Sequence, residues 1–103
     1  AGLAAETLHL VDPEDESDDF RPAVALHEEF ADPGYGVVSE REREAISLLA
    51  REEAIILDPV YTGRAMAGLI ALVRNSELRH GERVLFWHTG GGPSLLASSK
   101  ELQ

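Results

Sequence analysis

Apolar residues fall along this chain in two kinds of pattern. Ala54-Ile55-Ile56-Leu57 and Val84-Leu85-Phe86-Trp87 are continuous apolar runs of four, each bounded by charged or turn-forming residues, which predicts short buried strands. Between Ala23 and Phe30, Ala23, Ala25 and His27 alternate with Val24, Leu26 and Glu28. That period of two predicts an edge strand. Elsewhere the spacing is helical. Ala45, Ile46, Leu48 and Leu49 form one stripe, and Ser39-Glu40-Arg41-Glu42 before it reads as a capping box, so a helix is predicted from there to about Glu52. Met66, Leu69, Ile70, Leu72 and Val73 predict a second helix over Arg64 to Asn75, apolar around so much of its girth that it should be well buried against a sheet. Ala1 to Val11 and Ser94 to Ala97 predict short helical pieces. Asp32-Pro33-Gly34-Tyr35-Gly36 predicts a turn.

Strand and helix in alternation argue for an α/β fold with a largely parallel sheet. The chain divides into a helix and acidic loop (1–22), a main α/β portion (23–97) and a polar tail (98–103). Three strands are few for such a sheet, and parallel sheets need both faces covered. The expectation is therefore a portion of a larger architecture that packs against further sequence. The opening Ala1-Gly2-Leu3-Ala4-Ala5 reads like the middle of a helix and points the same way.

Charge narrows the partners. The 103 residues carry 19 acidic against 9 basic side chains, a net charge of -10. Such a surface repels phosphate backbones and anionic headgroups, which excludes nucleic acid and membrane as expected partners. Six of the eight residues from Asp12 to Asp19 are acidic. They lack the spacing and central glycine of a calcium loop and read as a solvated loop. With no cysteine, disulfides and thiolate metal sites are excluded and a reducing, cytoplasmic setting is compatible.

Several residues are placed where chemistry could sit. Tyr61 and Thr62 follow an apolar run that stops at Pro59, and so lie at the carboxyl end of a predicted strand, where open α/β sheets hold ligands. Tyr61 there can transfer a proton or orient a carboxylate, or simply pack. Tyr35 between two glycines is projected from the backbone, or belongs to a plain turn. His88-Thr89-Gly90-Gly91-Gly92 offers either an anion-binding nest or a flexible turn. His27 and His80 read as surface residues, His88 as a backbone hydrogen-bonding residue and Trp87 as core or interface. No metal site is expected. The only lysine is Lys100, in the polar tail, a poor place for a Schiff base, which needs a dry pocket.

Three ordered blocks carry a resemblance. Pro33-Gly34-Tyr35-Gly36, then Leu57-Asp58-Pro59-Val60-Tyr61-Thr62-Gly63 with Ala65-Met66-Ala67-Gly68-Leu69, then Val84 to Gly91 resemble the pyridoxal-phosphate family containing D-cysteine desulfhydrase and 1-aminocyclopropane-1-carboxylate deaminase. The resemblance implies fold type II, like the tryptophan synthase β chain, with this chain as its carboxyl-terminal part. It implies pyridoxal 5'-phosphate as cofactor, a small amino acid as substrate, and a homodimeric parent whose amino-terminal part or partner supplies the lysine. Tyr35 and Tyr61 would be catalytic; Thr89, Thr62 and Gly90 would lie on the cofactor. Threonine at 62, where ring-opening deaminases resemble a glutamate version, favours a desulfhydrase-like β-elimination over the deaminase. A non-catalytic module that binds a partner or an anion is the reading of another class. The chain departs from the family's usual lysine at Arg64 and glycine at Ala54, and the Asp12 to Asp19 loop is unlike it.

Overall fold

The computed structural model describes residues 23–100 and 102. The predicted Ala1 to Val11 helix and the acidic loop lie outside the described residues. Four elements follow one another: a 3₁₀ turn at Glu28–Phe30, α1 at Glu40–Glu53, α2 at Thr62–Arg74 and α3 at Gly92–Ala97.

α1 begins where its capping box places it. Both halves of the box are formed. The Ser39 amide donates to Glu42 Oε2 at 2.6 Å, and the Ser39 hydroxyl donates to the same carboxylate. The helix ends at Ala54, which takes the left-handed conformation at φ 54°. The Ile55 amide then closes on the Leu49 carbonyl at 3.2 Å. Glycine favours that backbone geometry and alanine opposes it by about 1–2 kcal/mol, so the departure from glycine at this position falls where it costs most.

α2 starts at Thr62, two residues before the predicted Arg64, because the Asp58 side chain satisfies its first amides. It packs on α1 and on the 3₁₀ turn. Gly68 lets Phe30 lie flat on α2: a Cβ there would sit 3.2 Å from the ring. The core between the helices is small. Ala45, Leu57, Met66 and Ala67 are buried, with Ile46, Leu49, Leu69, Ile70 and Phe86 packed around them.

The predicted strands require correction. Ala23 to Phe30 is irregular up to the 3₁₀ turn, and 54–58 and 82–91 carry no assigned strand. The sheet half of the α/β expectation is therefore not seen among the described residues. The physical reason is missing pairing. Strands exist through ladder hydrogen bonds, and no backbone–backbone bond joins 54–58 to 83–89 among the described residues. One side chain spans the gap, His88 Nε2 donating to the Ile56 carbonyl at 2.8 Å. Apart from Leu57 and Phe86, the large apolar side chains of the two runs are accordingly exposed. Ile56 is 55%, Leu85 84% and Trp87 76% exposed, so Trp87 is not core and α2 is not covered by a sheet. His27 and His80 are at the surface as expected.

Candidate active site

Asp58 organises the site. It follows the buried Leu57 and is itself only 1% exposed. Its Oδ2 accepts from the amides of Val60 and Tyr61, both at 2.8 Å. Its Oδ1 accepts from the Thr62 amide at 2.8 Å and the Thr62 hydroxyl at 2.7 Å. The Thr62 hydroxyl in turn accepts from the Asp58 amide at 2.8 Å, and the Gly63 amide reaches the Asp58 carbonyl at 2.7 Å. Asp58 thus takes the first two amides of α2, Thr62 and Gly63, which a helix leaves without internal partners, as well as those of Val60 and Tyr61 before it. Burial pushes the Asp58 carboxyl up, but the Thr62 hydroxyl and the amides of Thr62, Tyr61 and Val60 outweigh it and hold it below the usual carboxylate range.

This turn projects Tyr61 outward, 59% exposed. Its hydroxyl donates to the Tyr35 hydroxyl at 3.2 Å. The rings meet edge to face with centroids 6.1 Å apart, a favoured aromatic arrangement. Hydrogen bonding to Tyr35, then the charge a second phenolate would meet there, raises the Tyr61 phenol above its ordinary value. At neutral pH the Tyr61 phenol is protonated, a state suited to donating a hydrogen bond or a proton. The pair borders an open cleft of about 530 Å³ lined also by His27, Phe30, Val60 and Arg64. An apolar groove of about 460 Å³ lies between α1 and α2 around Leu48, Leu49, Leu69 and Ile70. It holds none of the candidate residues, so we place the site at the tyrosines.

The glycine loop comes to the same turn from the other side. Gly91 sits so close to Asp58 that a Cβ would lie 2.6 Å from the carboxylate carbon, and its φ is +100°. Ser94 Oγ donates to the Gly91 carbonyl at 2.7 Å and lies 3.4 Å from Asp58 Oδ2. The Gly90 amide donates to His88 Nδ1 at 3.0 Å, which together with the Ile56 contact fixes the His88 proton on Nε2. Thr89 is exposed. Thus Tyr35 and Tyr61 touch, while Thr62 is buried with its one proton committed to Asp58. Thr89 and Gly90 belong to the loop resting on that carboxylate.

Two positions carry more than their sequence suggested. Asp58 was visible as an acid ahead of a proline and a helix, the pattern in which an Asp side chain bonds amides two to four residues on. Arg64 reads as a surface residue, yet its guanidinium is largely enclosed and donates to carbonyls of the Tyr35 loop. Nothing local in the sequence signals that contact.

Residues 4–90 match the family described as pyridoxal-phosphate dependent enzyme. The chain belongs to that family, whose fold is fold type II and whose members depend on pyridoxal phosphate. The side chains of Thr89 and Tyr61 are exposed. The amino terminus of α2 and the glycine loop, the two places where a phosphate would settle, are instead occupied by or pressed against the Asp58 carboxylate. Lys100 is exposed and offers no dry pocket for a covalent link. Among the described residues no group of three acidic or histidine side chains could hold a metal ion, and no helix is long and apolar enough to cross a membrane.

Proposed function

We propose that this chain forms the substrate-facing wall of a pyridoxal-phosphate lyase acting on a small amino acid by β-elimination, in the manner of D-cysteine desulfhydrase. One observation carries the reading: two exposed phenols share a hydrogen bond of 3.2 Å at the mouth of a cleft, with Tyr61 held in its protonated form. A paired phenol can orient a substrate carboxylate and hand a proton to a leaving group. The cofactor, when bound, supplies the electron sink that weakens the Cα–H bond. The reaction breaks that bond and the Cβ–S bond of D-cysteine. Sulfide leaves, and water converts the remaining enamine to pyruvate and ammonia.

Thr62 supports the desulfhydrase side, because a neutral hydroxyl turned toward Asp58 leaves no carboxylate to pair with a ring nitrogen. Thr89 is the proposed neutral partner of that nitrogen. The lysine, the phosphate loop and the rest of the sheet would come from an amino-terminal part or a partner chain covering Ile56, Leu85 and Trp87, in a cytoplasmic homodimer. An anion-binding module is disfavoured by the carboxylate against Gly91.

Product analysis on the complete, lysine-bearing protein tests the proposal. D-cysteine should yield sulfide, pyruvate and ammonia in equal amounts. The 103-residue chain alone should yield none and show no visible absorption from a lysine-bound cofactor. Release of ammonia and a ring-opened 2-oxo acid from 1-aminocyclopropane-1-carboxylate, without sulfide from D-cysteine, would shift the assignment to the deaminase. Turnover of neither would refute both.

A further inference from the structure

We infer that Arg64 is the positioning residue that sets Tyr35 against Tyr61. Tyr35 is 80% exposed, so packing does not hold its ring; the backbone beneath it must. That backbone, residues 31–37, has no helix or strand. Its internal bonds are long: the Gly34 amide to the Ala31 carbonyl at 3.2 Å and the Val37 amide to the Gly34 carbonyl at 3.5 Å. Arg41 Nη2 adds a contact to the Asp32 carbonyl at 3.5 Å, the limit of a hydrogen bond.

Arg64 supplies the short contacts. Its Nη1 donates to the Ala31 carbonyl at 3.1 Å, and its Nη2 to the carbonyls of Gly34 at 3.0 Å and Val37 at 2.8 Å. These three acceptors bracket Tyr35. The other edge of the guanidinium is fixed by charge. Nε lies 3.5 Å from Glu42 Oε1, whose side chain is 1% exposed and anchored by Ser39. Arg64 and Tyr61 are three residues apart, within one turn of α2. The same helical turn therefore carries one phenol directly and holds the loop of the other through a rigid fork. A lysine keeps the charge opposite Glu42, but its single nitrogen cannot span carbonyls on both sides of Tyr35.

The inference rests on the tyrosine pair being the substrate-facing wall. The pairing itself is measured without cofactor or substrate, so the two ideas fail separately. The chain has only two tyrosines, so selective ring labelling of the full chain gives an unambiguous cross-peak between them in nuclear magnetic resonance. Arg64→Lys should leave the melting transition nearly in place while the Tyr35–Tyr61 cross-peak falls to roughly half or less. The Tyr61 phenol, which hydrogen bonding to Tyr35 raises above its ordinary value, should then titrate lower than in the wild type. Tyr35→Phe, which removes the partner hydroxyl, should give the same titration, and adding Arg64→Lys to it should change nothing further. A cross-peak of full strength in Arg64→Lys would overturn the inference. So would Nη protons of Arg64 in the wild-type chain that exchange as fast as those of an exposed arginine, a readout that holds even where the variant does not fold.

Discussion

Asp58→Ala should destabilise the chain by about 3–5 kcal/mol, the largest loss expected from any single substitution at the site. The amides of Val60, Tyr61 and Thr62 and the Thr62 hydroxyl all donate to this carboxylate. Alanine leaves them without an acceptor, and each donor orphaned in a buried place costs about 1–3 kcal/mol, less whatever water or local unravelling recovers. Asp58→Asn should lose less, since one oxygen remains, yet its amide nitrogen would face donors on the other side. Acid dependence gives the independent check. The folded carboxyl lies below its ordinary value, so its contribution is fully present above the unfolded value of about 4 and is lost as the pH falls through the lower folded value. Glu42 acts in the same direction: burial raises it, but the hydroxyl and amide of Ser39 with the Arg64 charge lower it further. Thermal melts across the acid range should show a steep loss below about pH 4 in the wild type and a shallower one in Asp58→Asn.

Leu57→Ala should cost about 2–5 kcal/mol in chemical denaturation, with the slope of the transition unchanged. Leu57 is 0% exposed and is the largest fully buried side chain among the described residues. Its removal leaves a cavity that Ala45 and Ala67 are too small to fill, and a core this thin has little margin. The effect should extend to function, because Leu57 anchors the segment from which Asp58 sets the tyrosine turn. A loss under 1 kcal/mol would show that the core closes over the site more readily than its packing suggests.

Local signals were read well from the chain, and long-range ones were not. The capping box at Ser39 and the stripe from Ala45 to Leu49 placed α1 because both lie within a few residues of one another. The apolar residues place α2, but the helix starts two residues before the Arg64 they predict, since the side chain that caps it sits before Pro59. The apolar runs at Ala54 and Val84 have the composition of strands. Composition does not make a strand without a neighbour to bond, and among the described residues no backbone hydrogen bond joins the two runs, only the His88 side chain reaching the Ile56 carbonyl. The tyrosines were singled out by their motifs, and the structure brings them into contact. That Arg64 ties the loop of one to the helix of the other depends on carbonyls about thirty residues away in sequence, which no spacing rule encodes.

In the proposed lyase the Tyr61 phenol, presented by Asp58 and paired with Tyr35, acts on the substrate. Sulfide release from D-cysteine by the complete holoenzyme carrying Tyr61→Phe tests it most directly. The ring and its packing remain while the hydroxyl is lost, so kcat should fall about 100-fold or more with the cofactor's absorption and the melting transition unchanged. Turnover at the wild-type rate would contradict the account.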